Sequence, residues 1–167
     1  NYSQFFEKKY RENINRVDWA ASNNVFLIYN IIKKHKLVFD KNLNKFGIGE
    51  DQLFFLKLNN YGHKIYWSKT IKVFEDVHRH RLNLKWLIGR SYRLGVLGYY
   101  IDKKIYGRLM GFTINYLKCV YYFVRAPSYF FLFFNSTFWA QILNYFSRSY
   151  GRLVGPLVFK KIDFFKR

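Results

Sequence analysis

The sequence predicts an α/β part followed by amphipathic, membrane-associated helices, and three observations predict it. Short apolar runs of strand length are interrupted by one helical stretch between Val17 and Asp76. From Asn83 the apolar spacing changes to that of helices. Between Arg125 and Arg148 the chain carries no charge at all, although the protein as a whole is strongly basic. The expected division is residues 1–95 for the α/β part and 96–167 for an aromatic-rich, basic helical region.

In chain order, residues 1–16 are polar, with Tyr2, Phe5, Phe6 and Tyr10 near helical spacing, and read as a short amphipathic helix or an ordered loop. Val25-Phe26-Leu27-Ile28-Tyr29 follows Asn23-Asn24 as an apolar run of strand length. Asn30–Lys36 reads as a short basic helix or turn, and Leu37–Asp40 as a brief extended piece. A Gly-Ile-Gly loop at residues 47–49 opens a helix from about Gln52 to Asn60, with Leu53, Phe54, Leu56 and Leu58 mostly on one face. Asn60-Tyr61-Gly62 supplies its stop, because glycine adopts positive φ without strain. Lys64–Trp67 and Ile71–Phe74 read as two short strands around Ser68-Lys69-Thr70. Leu84, Leu87 and Ile88 then start a helix that Gly95 and Gly98 are expected to break or thin. Tyr99–Val124 is amphipathic, and the charge-free window 126–147 is long enough for the ~20 residues that cross a bilayer. Pro127 and the polar side chains at residues 135, 136, 137, 141 and 144 favour an interfacial or re-entrant hairpin instead, the bland alternative being a buried helix pair. Residues 148–167 read as a basic tail on the membrane surface.

Charge is distributed unevenly. Residues 77–167 hold 16 Lys/Arg against Asp102 and Asp163, whereas residues 1–76 hold 13 against 8 acids. With 15 Tyr, 19 Phe and 4 Trp massed in long apolar runs, this points to an anionic membrane surface. Nucleic acid is not expected, since it calls for separate aromatic platforms beside a basic groove. A single cysteine, Cys119, excludes an intrachain disulfide and a multi-cysteine zinc site, and fits a reducing compartment.

The adjacent carboxylates Glu50 and Asp51 lie at the mouth of the Gly-Ile-Gly loop, where a helix N-terminus favours negative charge. A carboxylate in that place suits a general base, and equally an ordinary helix start. Its context adds to it. Asn23-Asn24 lies upstream, with Phe39-Asp40, Phe46, Gly49-Glu50-Asp51, Leu56, Leu58, Gly62, Ile65 and Trp67 in order after it. Val73, Glu75, Val77, Arg81, Arg90, Arg93 and Gly95 continue the series. Over roughly residues 17–95 this resembles the C-terminal half of an inverting family 2 glycosyltransferase with the GT-A fold.

The resemblance implies Asp51 as catalytic base, with Glu50 beside it at the acceptor site. It implies Asn23, Asn24, Arg81, Arg90 and Arg93 as substrate-binding residues. It also implies a nucleotide-sugar donor, a glycan or lipid-linked acceptor, and Mg2+ or Mn2+ on the leaving diphosphate, its ligands mostly in an N-terminal half absent from this sequence. The setting implied is the cytoplasmic face of a membrane. Arg90 and Leu94 stand where processive relatives carry the Gln and Trp of a Gln-x-x-Arg-Trp signature, which favours transfer of a single sugar. The family's Asp-x-Asp metal motif does not occur, so the chain is expected to be a C-terminal fragment, inactive alone. The alternative is a non-catalytic basic membrane-binding helical module. Each arginine has a plainer reading as a solvent- or lipid-facing charge. His78 and His80 lack an acidic cage and are weak metal ligands, and His35 and His63 are expected to face solvent. Trp67 and Trp86 are expected to fill a core or a membrane interface.

Overall fold

A computed structural model describes residues 14–43, 46–74, 76–132 and 138–164. The chain divides into two compact units, one within Phe6–Asp76 and one from Val77 onward.

The first unit is small and mixed. Strand β1 (Ile14–Val17) pairs antiparallel with β2 (Ile65–Ser68), with Arg16 opposite Tyr66 and Val17 opposite Ile65. Helix α1 spans Tyr29–Lys34 and α2 spans Glu50–Asn60. Helix α2 buries Leu53, Phe54, Phe55 and Leu58. Three of these join Leu37 and Ile65 in the core, over which Val17, Ala20, Val25, Ile31 and Ile32 pack. Full burial of a Leu or Phe is worth about 1.5–3 kcal/mol, so this cluster holds the unit together. Helix α2 ends as its sequence demands: Gly62 has φ +85°, and the amides of Gly62 and His63 donate to the carbonyls of Asn59 and Leu58.

The second unit is helical. Helix α3 (Leu84–Tyr106) starts at Asn83, whose side chain accepts the Trp86 amide at 2.8 Å. It turns at Gly107, φ +82°, directly into α4 (Arg108–Arg125). A 3-10 turn at Pro127–Leu132 precedes α5 (Phe138–Phe164). Helices α3 and α5 approach backbone to backbone. A Cβ on Gly155 would lie 3.0 Å from the Val96 carbonyl oxygen, and one on Gly151 would lie 3.0 Å from the Gly95 Cα and closer still to the Tyr92 carbonyl. Polar side chains join the three helices at the close contact. Asp102 is buried and takes Lys118 Nζ at 2.7 Å and Arg152 Nη1 at 2.8 Å. Arg152 Nη1 also donates to Asn115 Oδ1 at 3.0 Å, and Asn115 Nδ2 donates to the Arg152 carbonyl at 3.1 Å. Removing one partner of such a buried pair costs about 3–5 kcal/mol, because the other charge stays desolvated. Ser147 Oγ donates to the Ile88 carbonyl, Ser149 Oγ to the Cys119 carbonyl, and Ser91 Oγ to Asn144 Oδ1.

Several expectations are corrected. The predicted α/β GT-A part is not what forms: the described residues are mostly helical, and their sheet is a single antiparallel pair. An apolar run becomes a strand only where a neighbour completes its ladder. Among the described residues Ile71–Phe74 has no such neighbour, and Phe74 stands 95% exposed. Val25–Ile28 is likewise irregular, with Phe26 87% exposed, and Tyr29 opens α1. Ile14–Val17, with residues 14–16 expected in a helix or loop, is a strand because β2 pairs with it. Gly95 and Gly98 do not break α3, since intrahelical bonds tolerate glycine and the missing Cβ admits α5. The part of 148–167 that is described is no surface tail: it continues α5, with Gly151, Arg152 and Gly155 buried. The helix or loop expected around residues 2–10, the Glu75 of the motif series, and residues 133–137 of the charge-free window lie outside the described residues. No helix among the described residues is long and apolar enough to cross a membrane.

Candidate functional site

In the first unit the predicted acid pair opens α2. Gly47 and Gly49 both have positive φ, +65° and +94°, a conformation that side chains with a Cβ rarely adopt. Gly49 is the N-cap and carries no side chain to satisfy the helix start, so Glu50 and Asp51 are the first acidic groups at the positive end. Asp51 Oδ2 accepts two hydrogen bonds from Ser22, one from its amide at 2.9 Å and one from its hydroxyl at 3.2 Å. That clasp joins the segment holding Asn23 and Asn24 to the head of α2 across 29 residues of sequence. Asn23 and Asn24 are exposed, and Asp51 is half-buried. Glu50 Oε2 is buried without a hydrogen-bond partner among the described residues. The structure therefore brings four of the predicted residues, Asn23, Asn24, Glu50 and Asp51, to one end of α2. Sequence reasoning missed Ser22; its only signal was a hydroxyl beside the two asparagines.

The predicted arginines lie in the second unit, around the start of α3. Arg81 closes a 3-10 turn at Arg79–Arg81. Its guanidinium carbon is 5.9 Å from the Trp86 ring centre, and that of Arg90 is 5.5 Å from the same ring. Cations at this range are held by the ring's negative face. Trp86 thus organises the basic cluster, a role the sequence did not reveal. Arg93 is exposed and lines an open surface depression of about 330 Å3 with His80, Asn83, Lys85, Trp86 and Gly89. His78 and His80 stack at 5.6 Å. Among the described residues no group of three or more His, Cys, Asp or Glu could hold a metal ion.

His35 and His63, expected to face solvent, are half-buried and face each other, Nε2 to Nε2 at 2.9 Å. His35 also stacks on Tyr61 at 4.2 Å. The pair ties the end of α1 to the turn after α2. Only one ring can donate across that contact, so the other must accept through a bare nitrogen. The midpoint of His35 is lowered from the ordinary 6.5, first by loss of hydration, then by the charges of His63 and Lys34. The folded chain therefore binds fewer protons than the unfolded chain just below 6.5. Stability from this contact is complete above 6.5 and declines as the pH falls through the window beneath it. The thermal midpoint should fall on acidification from about pH 8 to about pH 5, and His63→Gln should flatten that dependence. An equal slope in the variant would show that the pair does not carry it.

No protein-family model, curated protein or solved structure matches this chain.

Proposed function

We propose that the chain is the acceptor-side part of an inverting nucleotide-sugar glycosyltransferase that works at the cytoplasmic face of an anionic membrane. The observation that supports this best is the acid pair at the head of α2. A tight glycine turn delivers it, Ser22 fixes Asp51, and Asn23-Asn24 is drawn alongside. Both Ser22 bonds fall on Oδ2, which leaves Oδ1 for the acceptor. In the proposed step Asp51 Oδ1 takes the proton of the acceptor hydroxyl. The hydroxyl oxygen bonds to the anomeric carbon of the donor as the carbon–oxygen bond to the nucleoside diphosphate breaks on the opposite face. The electron pair leaves on the diphosphate. A positioned base of this kind contributes about 10²–10⁴-fold. The support is local and independent of the GT-A architecture: the acid pair at the head of α2 and its Ser22 clasp, rather than a nucleotide-binding sheet.

The stereochemistry tests it. Membranes carrying the full-length gene product, given an α-linked nucleotide sugar and a lipid-linked acceptor, should yield the β-linked product. Retention of the α configuration would exclude the single displacement.

A second reading is a non-catalytic membrane-binding module, and one observation favours it: the Asp51–Ser22 clasp is sufficient reason for the carboxylate on structural grounds alone. It requires that the full-length protein transfer no sugar from any donor.

A further inference from the structure

Helix α4 is inverted in polarity, although α3 and α5 bury apolar side chains such as Leu97, Ile101 and Phe159. On α4 the buried positions are Gly111, Asn115 and Cys119, each four residues after the last, which is one narrow stripe. The outward stripe is apolar: Leu109, Phe112, Tyr116, Leu117, Phe123 and Val124 are all more than half exposed. Helix α5 shares it in part: Ser149 and Arg152 are buried while Tyr150, Leu153 and Leu157 face out, but Phe138, Ile142 and Phe159 are buried as well. A helix packed in water buries its apolar stripe and exposes its polar one. Small and polar residues at helix contacts, with apolar side chains outside, are what helices surrounded by lipid tails show.

Charge selects among occupants of that face. The charged residues of α4 are Arg108 at its start, Arg125 at its end, and Lys118. Lys118 is spent on Asp102, so the outward stripe lies between two exposed cations about 26 Å apart along the axis. Elsewhere in the unit Arg79, Lys85, Arg93 and Lys104 are exposed. Of its two acids, Asp102 is buried and the side chain of Asp163 lies outside the described ones. A second copy would bring like charge to like charge. An anionic lipid surface accepts the apolar stripe and the cations together.

We propose that the outer face of α4 docks in the plane of an anionic bilayer, with Leu109, Phe112, Leu117 and Val124 below the headgroups and Arg108 and Arg125 among them. It deepens the membrane part of the function proposed above and does not depend on the chemistry at Asp51.

The test is partition of the full chain onto vesicles of equimolar phosphatidylcholine and phosphatidylglycerol, with pure phosphatidylcholine in parallel. The wild type should bind the anionic vesicles more tightly. Phe112→Glu with Leu117→Glu should lower the partition coefficient about 100-fold, about tenfold for each apolar side chain kept from lipid. Its circular dichroism should be unchanged, because both residues are already exposed. Phe26→Glu, at a still more exposed site outside the helical unit, should stay within about twofold. Binding of the double variant at wild-type strength would overturn the proposal, and so would a stable dimer of the wild type that ignores vesicles. Transfer to a water-soluble acceptor, assayed alongside, reports on the sugar-transfer reading alone.

Discussion

Replacing Gly151 with Leu should unfold the helical unit at ordinary temperature. A Cβ there falls against the Tyr92 carbonyl, the Gly95 Cα and the Val96 amide, all backbone atoms that cannot rotate away. To admit a side chain, α5 must move off α3, and the Arg152–Asp102 pair and the Tyr100–Phe159 stack at 4.6 Å move with it. Overpacking alone costs about 1–3 kcal/mol, and breaking a buried ion pair adds about 3–5 kcal/mol. Even the loss of about 3 kcal/mol should lower the thermal midpoint by roughly 12 °C in a unit of this size. Gly89→Ala is the matched control. Nothing lies within 4 Å of a Cβ at Gly89, and it sits inside α3. There, alanine should gain about 0.5–1 kcal/mol by helix propensity. Equal stability of Gly151→Leu and wild type in thermal unfolding would refute the close α3–α5 contact.

The same glycines show how far the sequence could be read. Helix starts and stops carry local chemistry, and these were legible: Asn83 before α3, the glycine turn before α2 and Gly62 after it. Strand β2 was legible within one residue. What failed needed information about neighbours. Gly95 and Gly98 look like helix breakers until Gly151 and Arg152 are seen against them. Arg152 looks like part of a surface tail until Asp102 is found 50 residues away. Ile71–Phe74 looks like a strand because apolar runs are usually buried, and here Ile71, Val73 and Phe74 are all exposed.

At the site the sequence located the acid pair correctly at a helix start and could not see the clasp. Nor could it see that Trp86 gathers Arg81 and Arg90, since the ring and the guanidinium groups meet only after the 3-10 turn at Arg79–Arg81 and the first turns of α3 have formed.

The largest functional effect is expected from Asp51→Asn. The amide oxygen of Asn still accepts the Ser22 amide and hydroxyl bonds, so the clasp persists and stability should change by about 1 kcal/mol or less. What disappears is the ability to take a proton. The loss should therefore fall on catalysis, about 10²–10⁴-fold in transfer rate. Ser22→Ala tests the complementary role: it deletes the hydroxyl bond, keeps the amide bond and leaves the carboxylate in place, so transfer should fall far less.

The measurement that tests the central claim most directly is the sugar-transfer rate of full-length Asp51→Asn per folded molecule, with the folded fraction taken from circular dichroism of the same sample. A drop of about 10²–10⁴-fold in natively folded protein is the predicted result. Transfer within about twofold of wild type, or a loss no larger than the unfolded fraction, would contradict Asp51 as the base.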